Sequence, residues 1–498
     1  MSMLGVNLMD LYSKLTKNYI SGEWKNGNGN TELEVDNPYS GEIIGKIKTA
    51  SIDDINEAYE SAKEAQKIWK DKNPFERSQI MEKAVQLFES HREELVNILI
   101  KESGSSHLKA NVEVDFVIAI TKESASFPLR MGGEIIPSLV AGKENRIYRK
   151  PVGVVGVIGP FNFPMYLAQR SVAPALATGN GVVLKPDSQT PVSGGTILAK
   201  IMEEAGVPKG LFNVVIPNRK EVGDRMIEHP IPRVISFTGS TGVGRHIGEV
   251  CGRLIKKSIL ELGGNNALLV LEDADIDRAV NSALFGKFMH NGQICMSLNR
   301  IIVHEKLHDK FVDKFVSLAK KIKVGNPEEK DTLIGPLINK RSIETILSHI
   351  DKAKSEGAKI VLEGKVEGNV MHPYILIGSN EVATAQNEMF GPVATIIKVK
   401  TDQEAIEIAN DTQYGLSGAV HAGTVERGVE VAKQIVTGMV HVNDQSVNDE
   451  PLIAFGGEKD SGIGRFGGIR SLHEFTTEQW ISTQSDERES PFHVNYLK

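Results

Sequence analysis

The chain has 498 residues, of which 40% are hydrophobic and 24% are charged, and its formal net charge is −7. This length exceeds the size at which one hydrophobic core keeps growing, so we expect two or three structural units. The negative charge argues against nucleic-acid binding as the main activity. The sequence holds no run of about 18 uninterrupted apolar residues, so no membrane span is predicted.

Cysteine and histidine usage narrows the class of protein further. Two cysteines cannot form a disulfide framework, which favours a reducing cytoplasm. The first residues, MSMLGVNLMDLYSK, carry Asp10 within their apolar part and have no small-residue cleavage site, so we expect no signal peptide. The histidines are scattered and no HExxH or CxxC motif occurs, so no metal site is predicted.

The first quarter of the chain has helical patterns. Ser51 and Asp54 have the spacing of a capping box and predict a helix start. The apolar spacing predicts a second helix from about Glu76 to Glu102. Gly104 follows it, at a position where the end of a helix favours glycine.

From Val152 the pattern changes to short apolar runs between glycines, which are typical of strands buried on both faces. Helical patterns separate these runs, so the sequence predicts βαβ units and a mostly parallel sheet. A second alternating set, from about residue 300, predicts a second α/β domain that begins near Leu262. Met131–Lys150 has two β-like arms around a glycine-containing turn and predicts a hairpin.

Five segments combine chemically useful residues. GQICMSLNR (292–300) holds Cys295, which on its own reads more readily as a buried small side chain than as a nucleophile. GPFNFP (159–164) holds Asn162, which alone could stabilise a turn. The glycines of FTGSTGVG (237–244) could serve tight turns only. LELGGNN (260–266) and EMFGP (388–392) hold Glu261 and Glu388, which alone could be surface charges. Their joint occurrence in this order favours a functional site.

The combination resembles the aldehyde dehydrogenase superfamily over nearly the whole chain. RSVAPALATGNGVVLKP, GQICMSLNRIIVH and HVNDQSVNDEP are most similar to the benzaldehyde and vanillin dehydrogenase group. The resemblance implies an α/β fold with two parallel-sheet domains and a β-hairpin oligomerisation arm, and a homodimer or homotetramer. It places a dinucleotide-binding domain at 1–130 and 151–260, a catalytic domain at 261–470, and the arm at 131–150 and 471–498.

The implied activity is the NAD(P)-dependent oxidation of an aldehyde, most like benzaldehyde, to a carboxylic acid through a thiohemiacetal and a thioester. The small-molecule aldehyde is the expected partner, with no nucleic acid and no membrane. By resemblance, Cys295 is the nucleophile. Asn162 donates to the oxyanion together with the backbone N–H of Cys295. Glu261 is the general base that activates a water.

The resemblance also implies two sets of binding residues. The predicted cofactor-binding residues are Phe161, Lys185, Ser188, Gly239, Ser240, Glu388 and Phe390. The predicted substrate-pocket residues are Phe163, Leu167, Arg170, Met289, Ile294, Met296 and Phe455. The second set is mostly apolar and suits an aryl or long apolar aldehyde.

Three positions depart from the common pattern of the superfamily. Phe161 replaces a tryptophan, which is a mild change. Ser171 replaces a lysine of the proton relay, and Arg170 precedes it. Ser188 replaces a glutamate that would repel a 2′-phosphate, so the sequence permits both NAD and NADP.

Other functions stay open at this point. A coenzyme A-acylating or an aliphatic semialdehyde dehydrogenase of the same superfamily is the nearest alternative, although the acylating branch usually lacks the base that Glu261 provides. Arg170 could pair with a substrate carboxylate. A cysteine hydrolase would need a histidine partner for Cys295, and none is recognisable. A non-catalytic role would leave the set of Cys295, Glu261 and Asn162 unexplained.

Overall fold

The computed structural model describes residues 12–488 and residue 492. Two large sheets and one smaller antiparallel sheet organise the chain. The α/β fold predicted from the sequence is confirmed. The absence of a signal peptide was argued from the first 14 residues, and most of them lie outside the described ranges.

The first sheet has a parallel centre with antiparallel edges. The buried apolar runs predicted from Val152 onward form the parallel strands, with helices packed on both faces. Its strands, in spatial order, are Glu23–Lys25, Asn18–Ile20, Phe212–Val214, Gly181–Lys185, Val154–Ile158, Val234–Thr238, Lys257–Glu261 and Gly462–Ile463.

The second sheet is parallel except for its first pair of strands. It shows a second α/β unit, with strands drawn from residues 266–442. Its strands, in spatial order, are Lys359–Leu362, Tyr374–Ile377, Val393–Val399, Leu298–His304, Asn266–Val270, Gly418–His421 and His441–Val442. The domain boundaries themselves stay a prediction, because Gly462–Ile463 lies in the stretch assigned to the catalytic domain and pairs with the first sheet.

The third sheet contains the predicted hairpin. Glu134–Pro137 pairs with Lys143–Pro151, which pairs in turn with Thr476–Gln484 near the end of the chain. Three short ladders complete the β-structure, namely Glu32–Asp36 with Ile43–Lys48, Val366–Glu367 with Val370–Met371, and Tyr414–Gly415 with Glu458–Lys459.

The helices fill the connections between strands. A π-helical turn at Val192–Thr196 and a 3₁₀ turn at Met289–Gly292 interrupt the regular pattern. The α-helices span Ile52–Trp69, Pro74–Ser90, Arg92–Ser103, His107–Ala125, Phe127–Arg130, Pro164–Ala177, Ile197–Ala205, Arg219–Val222, Arg225–Glu228, Thr241–Arg253, Ile276–Phe288, Glu305–Ala319, Lys340–Ser355, Ala383–Gln386, Asp402–Asn410, Val425–Ala432 and Ile469–Glu474.

The helical predictions for the first quarter hold in part. Ser51 caps the helix Ile52–Trp69, and Asp54 completes the capping box. Gly104 takes the left-handed conformation expected at a helix end. The single helix predicted over 76–102 is wrong, because the chain leaves helical geometry at His91, with φ −101° and ψ 15°, and forms two helices. Within the described residues, no helix is both long and apolar enough to span a membrane.

Candidate active site

A cavity of about 520 Å³ lies at the carboxyl edge of the first sheet. The parallel strands of that sheet end side by side there, so residues from distant segments meet along one edge. All the predicted catalytic and cofactor-binding residues except Ser188 line this cavity. They are Phe161, Asn162, Lys185, Gly239, Ser240, Glu261, Cys295, Glu388 and Phe390.

The placement of Ser188 at the cofactor site stays a prediction. Ser188 is exposed and is not among the residues that line the cavity, whereas Asp187 is. The Asp187 carboxylate accepts a hydrogen bond from the backbone N–H of Gln189 at 2.9 Å. This local turn holds the Asp187 side chain at the cavity, and Ser188 is exposed next to it.

Cys295 lies in the loop between a 3₁₀ turn and the strand Leu298–His304. The loop enters through His290 and Asn291, both with positive φ, and through Gly292. A Cβ at Gly292 would lie 2.3 Å from the backbone oxygen of Gly391, so only glycine fits there. Residues 290–292 therefore form a tight turn before Cys295, and this turn requires glycine at position 292.

The Cys295 thiol has a strongly perturbed acidity. Burial raises its pKa to about 12, and the positive charge of Arg170 opposes this rise. The thiolate is the reactive form of a cysteine, so an opposing cation beside a buried thiol bears directly on its reactivity. Both cysteines of the chain are free, and the other, Cys251, is buried in the helix Thr241–Arg253.

The double glycine after Glu261 allows three segments to approach closely. A Cβ at Gly264 would lie 2.3 Å from the backbone oxygen of Cys295, and one at Gly263 would lie 2.4 Å from a carboxylate oxygen of Glu388. The backbone N–H of Gly264 donates to Glu388 at 2.9 Å. Burial raises the pKa of Glu388 to about 7. The glycines of LELGGNN thus bring the cysteine loop and Glu388 together.

Glu261 ends its strand inside the site. Its side chain is 2% exposed, and neither carboxylate oxygen has a hydrogen-bond partner among the described residues. Burial raises the pKa of Glu261 to about 8, while Arg170 and Arg465 oppose the rise. A buried, unpartnered carboxyl group that titrates near neutrality suits proton transfer.

Asn162 is buried, and its side-chain nitrogen donates to the backbone oxygen of Gln293 at 2.9 Å. An amide nitrogen carries two hydrogens, so this bond fixes the orientation of the group and leaves a second donor. Gln293 is two residues before the nucleophile candidate. The amide is therefore anchored to the same loop that presents Cys295.

The same cavity fits a dinucleotide. Ser240 caps the helix Thr241–Arg253, yet its side chain makes no capping hydrogen bond within the described ranges. The first N–H groups of this helix and the free hydroxyl can bind a pyrophosphate. The rings of Phe161 and Phe390 meet edge to face at 5.8 Å, forming an apolar wall. Lys185, Asp187 and Arg219 line the cavity as well.

The seven predicted substrate-pocket residues are all buried and lie in or beside one hydrophobic cluster, against which Cys295 packs. Arg170 differs from the rest because it is a buried cation. Its guanidinium carbon lies 4.2 Å from the centre of the Phe455 ring, and one nitrogen lies 3.5 Å from Asp449. Tyr166 donates to the same Asp449 oxygen at 2.7 Å.

No sequence motif indicated several residues that the structure places in or beside the site. Asp449 lies in the quoted segment HVNDQSVNDEP, but nothing in that segment indicated a partner so far along the chain. Asp187 stands two residues after Lys185 and could have been weighed against Ser188. Arg219 follows a strand and lies in no recognised motif.

Ser171, at the position where the superfamily often has a lysine, forms a buried hydrogen bond of 2.9 Å with Ser236.

Comparisons with known proteins show the family of this chain. A family model described as the aldehyde dehydrogenase family matches residues 24–481. The chain is 50% identical to benzaldehyde dehydrogenase YfmT of Bacillus subtilis, over 97% of the chain and 99% of that protein. The crystal structure of an NAD-dependent benzaldehyde dehydrogenase from Corynebacterium glutamicum matches with a TM-score of 0.88 and 44% identity, covering 99% of this chain and 100% of that one.

An Escherichia coli structure described as an NADP dependent enzyme matches with a TM-score of 0.92 and 33% identity, covering 95% of this chain and 99% of that one. The chain belongs to the aldehyde dehydrogenase family. The predicted family and the predicted enzyme class, an oxidoreductase, are thereby confirmed.

Proposed function

We propose that this enzyme oxidises aryl aldehydes to carboxylic acids through a covalent intermediate on Cys295. The observation that carries the proposal is the single cavity that brings together Cys295, Asn162 and Glu261 with the features of a dinucleotide site. The benzaldehyde dehydrogenases among the relatives support the aryl substrate.

The reaction begins with nucleophilic addition. Glu261 takes the proton of the Cys295 thiol and passes it to solvent. The thiolate then adds to the carbonyl carbon and forms a thiohemiacetal, whose oxygen becomes negatively charged. The second hydrogen of the Asn162 amide and the backbone N–H of Cys295 stabilise that oxygen. The bond from Asn162 to Gln293 holds the amide in place before the substrate arrives, so the donor needs little reorganisation.

Bound NAD would supply the acceptor for the hydride of the substrate carbon. The residues that would hold it are Ser240 and the helix it caps at the pyrophosphate, and Glu388 at the nicotinamide ribose. The hydrogen bond from Gly264 fixes one carboxylate oxygen of Glu388 and leaves the other available. Phe161 and Phe390 provide apolar contact.

Oxidation leaves the acyl group on the sulfur as a thioester, which must be hydrolysed. Glu261 takes a proton from a water molecule, and the resulting hydroxide attacks the thioester carbonyl. The thiolate leaves, the carboxylic acid is released, and Glu261 returns its proton to solvent. Glu261 has no fixed hydrogen-bond partner in the part of the chain that the structure describes, which suits a base that must approach a water.

The finer features of the enzyme belong to this proposal. Both NAD and NADP are accepted as cofactors, and the enzyme acts in the cytoplasm. It assembles as a homodimer or homotetramer through the three-stranded sheet, whose apolar side chains Ile135 and Trp480 are exposed in the single chain. The proposal also includes the dinucleotide-binding domain, the catalytic domain and the arm, with the residue ranges that the resemblance implies.

The alternatives fit the site less well. A coenzyme A-acylating enzyme would resolve the thioester with a thiol and would have no use for the buried base Glu261. A semialdehyde substrate would need a free cation, but Arg170 already contacts Asp449. A cysteine hydrolase would leave the dinucleotide features unexplained.

The deciding experiment measures the reduced cofactor by absorbance with benzaldehyde, acetaldehyde and succinic semialdehyde, each with and without coenzyme A. We expect the highest kcat/KM with benzaldehyde and no requirement for coenzyme A. A clear preference for acetaldehyde or for the anionic semialdehyde would contradict the aryl substrate. Acyl transfer to coenzyme A as the main route would contradict hydrolysis.

A further inference from the structure

Two fully buried charged side chains take no part in the steps described above. Lys109 and Glu113 stand one turn apart on the helix His107–Ala125, and each is 0% exposed. The lysine Nζ donates a hydrogen bond to one carboxylate oxygen of Glu113. Desolvation of both charges offsets most of the attraction in such a pair, so a buried ion pair adds little net stability. Stability alone therefore gives no reason for this pair at this position.

The other carboxylate oxygen of Glu113 caps a second helix. The helix Pro164–Ala177 begins after Phe163, whose side chain makes no capping hydrogen bond. In its first turn, the backbone N–H groups of Met165 and Tyr166 both donate to this oxygen, at 2.9 and 3.2 Å. The first N–H groups of a helix have no partner within the helix, so Glu113 supplies a cap that the local sequence lacks.

The ring of Phe163 joins this ion pair to the cysteine loop. The Lys109 Nζ lies 4.3 Å from the centre of the ring, within the range of a cation–π contact. The His290 ring meets the same phenylalanine edge to face, with 5.7 Å between the ring centres. His290 belongs to the tight turn before Cys295. One phenylalanine therefore contacts both the ion pair and the loop that presents the cysteine.

His290 also contacts the residue that precedes Phe163. Burial and the charge of Lys109 hold the pKa of His290 well below its usual range, and a hydrogen bond to the backbone of Asn162 opposes this change. The ring is therefore neutral, and its Nε2 has no hydrogen-bond partner among the described residues. The cysteine loop thus holds Asn162 at two points, at the backbone through His290 and at the side chain through Gln293.

We propose that Lys109, Glu113 and His290 form a positioning cluster for the side-chain amide that stabilises the oxyanion. That amide belongs to Asn162, which lies directly between the turn before Cys295 and the start of the capped helix. Fixing both neighbours leaves the amide in one orientation. None of the three residues of the cluster is among those that line the cavity, so they act through Asn162. This inference rests on the proposed oxyanion role of Asn162 but not on the identity of the aldehyde.

Two double variants separate the cap from the charges. Lys109→Met/Glu113→Gln removes both charges and keeps an oxygen that can accept from the start of the helix. Lys109→Met/Glu113→Leu removes both charges and the acceptor, so the two proteins are matched controls that differ at one residue of similar size. We expect the first to keep kcat within about threefold of the parent and the second to lose about 100-fold, as expected for a shift of about 1 Å. The KM of the aldehyde and the Kd of NAD should change little, because the amide acts on the transition state.

An Asn162→Ala background distinguishes positioning from a general effect on the fold. Without the amide, the two double variants should differ in kcat by less than about threefold, because residues that act through one another give non-additive losses. A difference of the same size with and without Asn162 would show that the cluster supports the fold only. Equal kcat values for the two double variants in the parent background would overturn the inference as well.

His290→Leu is a second test that leaves the ion pair in place. It removes the hydrogen bond to the Asn162 backbone without exposing or burying a charge, so this variant should fold even if the leucine variant of Glu113 does not. We expect kcat to fall about tenfold, as for the loss of one hydrogen bond, and to be unaffected by the substitution in the Asn162→Ala background. An unchanged kcat in the parent background would overturn the inference.

These comparisons need only an aldehyde that the parent protein oxidises. A preference for acetaldehyde would contradict the aryl substrate and would leave the ratios between the variants as they are. Failure of the proposed substrate and failure of the positioning cluster therefore give different results.

Discussion

Cys295 and Cys251 offer a direct comparison at the scale of single residues. Cys295→Ala should abolish aldehyde oxidation and retain cofactor binding, because the thiol acts on the substrate and not on the dinucleotide. Cys251→Ala should leave turnover nearly unchanged, because that side chain only packs in a hydrophobic cluster. Steady-state rates and the Kd of NAD check both variants. Loss of activity in the Cys251 variant alone would reverse the assignment.

Glu261 acts again after the oxidation step, so its removal should trap the intermediate. Glu261→Gln should slow hydrolysis on the order of 100-fold or more, and the acyl-enzyme should accumulate. Intact-mass spectrometry after mixing with aldehyde and NAD would detect the added mass.

The acidity of Glu261 gives this step a defined pH dependence. The base must be ionised to act and burial raises its pKa to about 8, so deacylation should slow as the pH falls below about 8 and level off above it. Single-turnover hydrolysis of the acyl-enzyme across this range measures it. A rate that does not depend on pH would contradict the role of Glu261.

Arg170 should influence the nucleophile electrostatically. Its charge opposes the rise in the pKa of Cys295, so Arg170→Met should raise that pKa further. A rise of one unit lowers the thiolate fraction about tenfold, so iodoacetamide should alkylate Cys295 correspondingly more slowly near neutral pH. Asp449→Asn removes the partner and keeps the cation, and it should not slow alkylation. Equal rates in the parent and the Arg170 variant would contradict this influence.

At the scale of elements, the close approach of the ELGG segment to the cysteine loop can be tested by adding one carbon atom. Gly264→Ala would place a Cβ 2.3 Å from the backbone oxygen of Cys295 and displace the loop. Because a shift of about 1 Å in a catalytic group costs on the order of 100-fold in rate, we expect a loss of that size in kcat/KM.

Gly252 is the matched control for that substitution. A Cβ there would meet nothing within 4 Å, and the residue lies in the helix Thr241–Arg253. Gly252→Ala should keep full activity and stabilise the protein by about 0.5 to 1 kcal/mol, because glycine is unfavourable inside a helix. Thermal unfolding and kcat/KM of both variants provide the measurement.

Local sequence patterns predicted much at this scale, and their failures have physical causes. The capping box at Ser51 and Asp54 depends on two neighbouring residues, so sequence alone suffices. The break at His91 has no glycine or proline to mark it, and the apolar spacing continues across it. Similarly, no local pattern indicated that Asp187 lines the cavity, where its side chain accepts a hydrogen bond from the backbone N–H of Gln189.

Long-range partners could not be read from the sequence at all. The contact between Arg170 and Asp449 depends on how the two sheets are placed, and no local pattern encodes it. Cys295, Glu261 and Asn162 were assigned because their surrounding motifs resemble those of a family. The buried, unpartnered state of Glu261 became visible only with the surrounding protein in place.

At the scale of the whole molecule, the three-stranded sheet should join subunits. Ile135 is 71% exposed in the single chain and lies on a strand whose apolar neighbours are exposed too. Ile135→Asp should dissociate the assembly, because a charge cannot be buried there without a partner. Ile68→Asp is the control, since Ile68 is 79% exposed on the helix Ile52–Trp69. Light scattering after size-exclusion chromatography gives the masses. Unchanged masses in both variants would contradict the proposed interface.

The strand that ends at Glu261 pairs with Gly462–Ile463, and the backbone N–H of Leu262 donates to Ser461 at 2.9 Å. The base is therefore held in place by a segment near the other end of the chain. Contacts this distant in sequence form slowly during folding, because the intervening chain must first be ordered. During synthesis on the ribosome, the first sheet can gather most of its strands before residues 461–463 emerge. The nascent protein is thus expected to be inactive until residues 461–463 have left the exit tunnel.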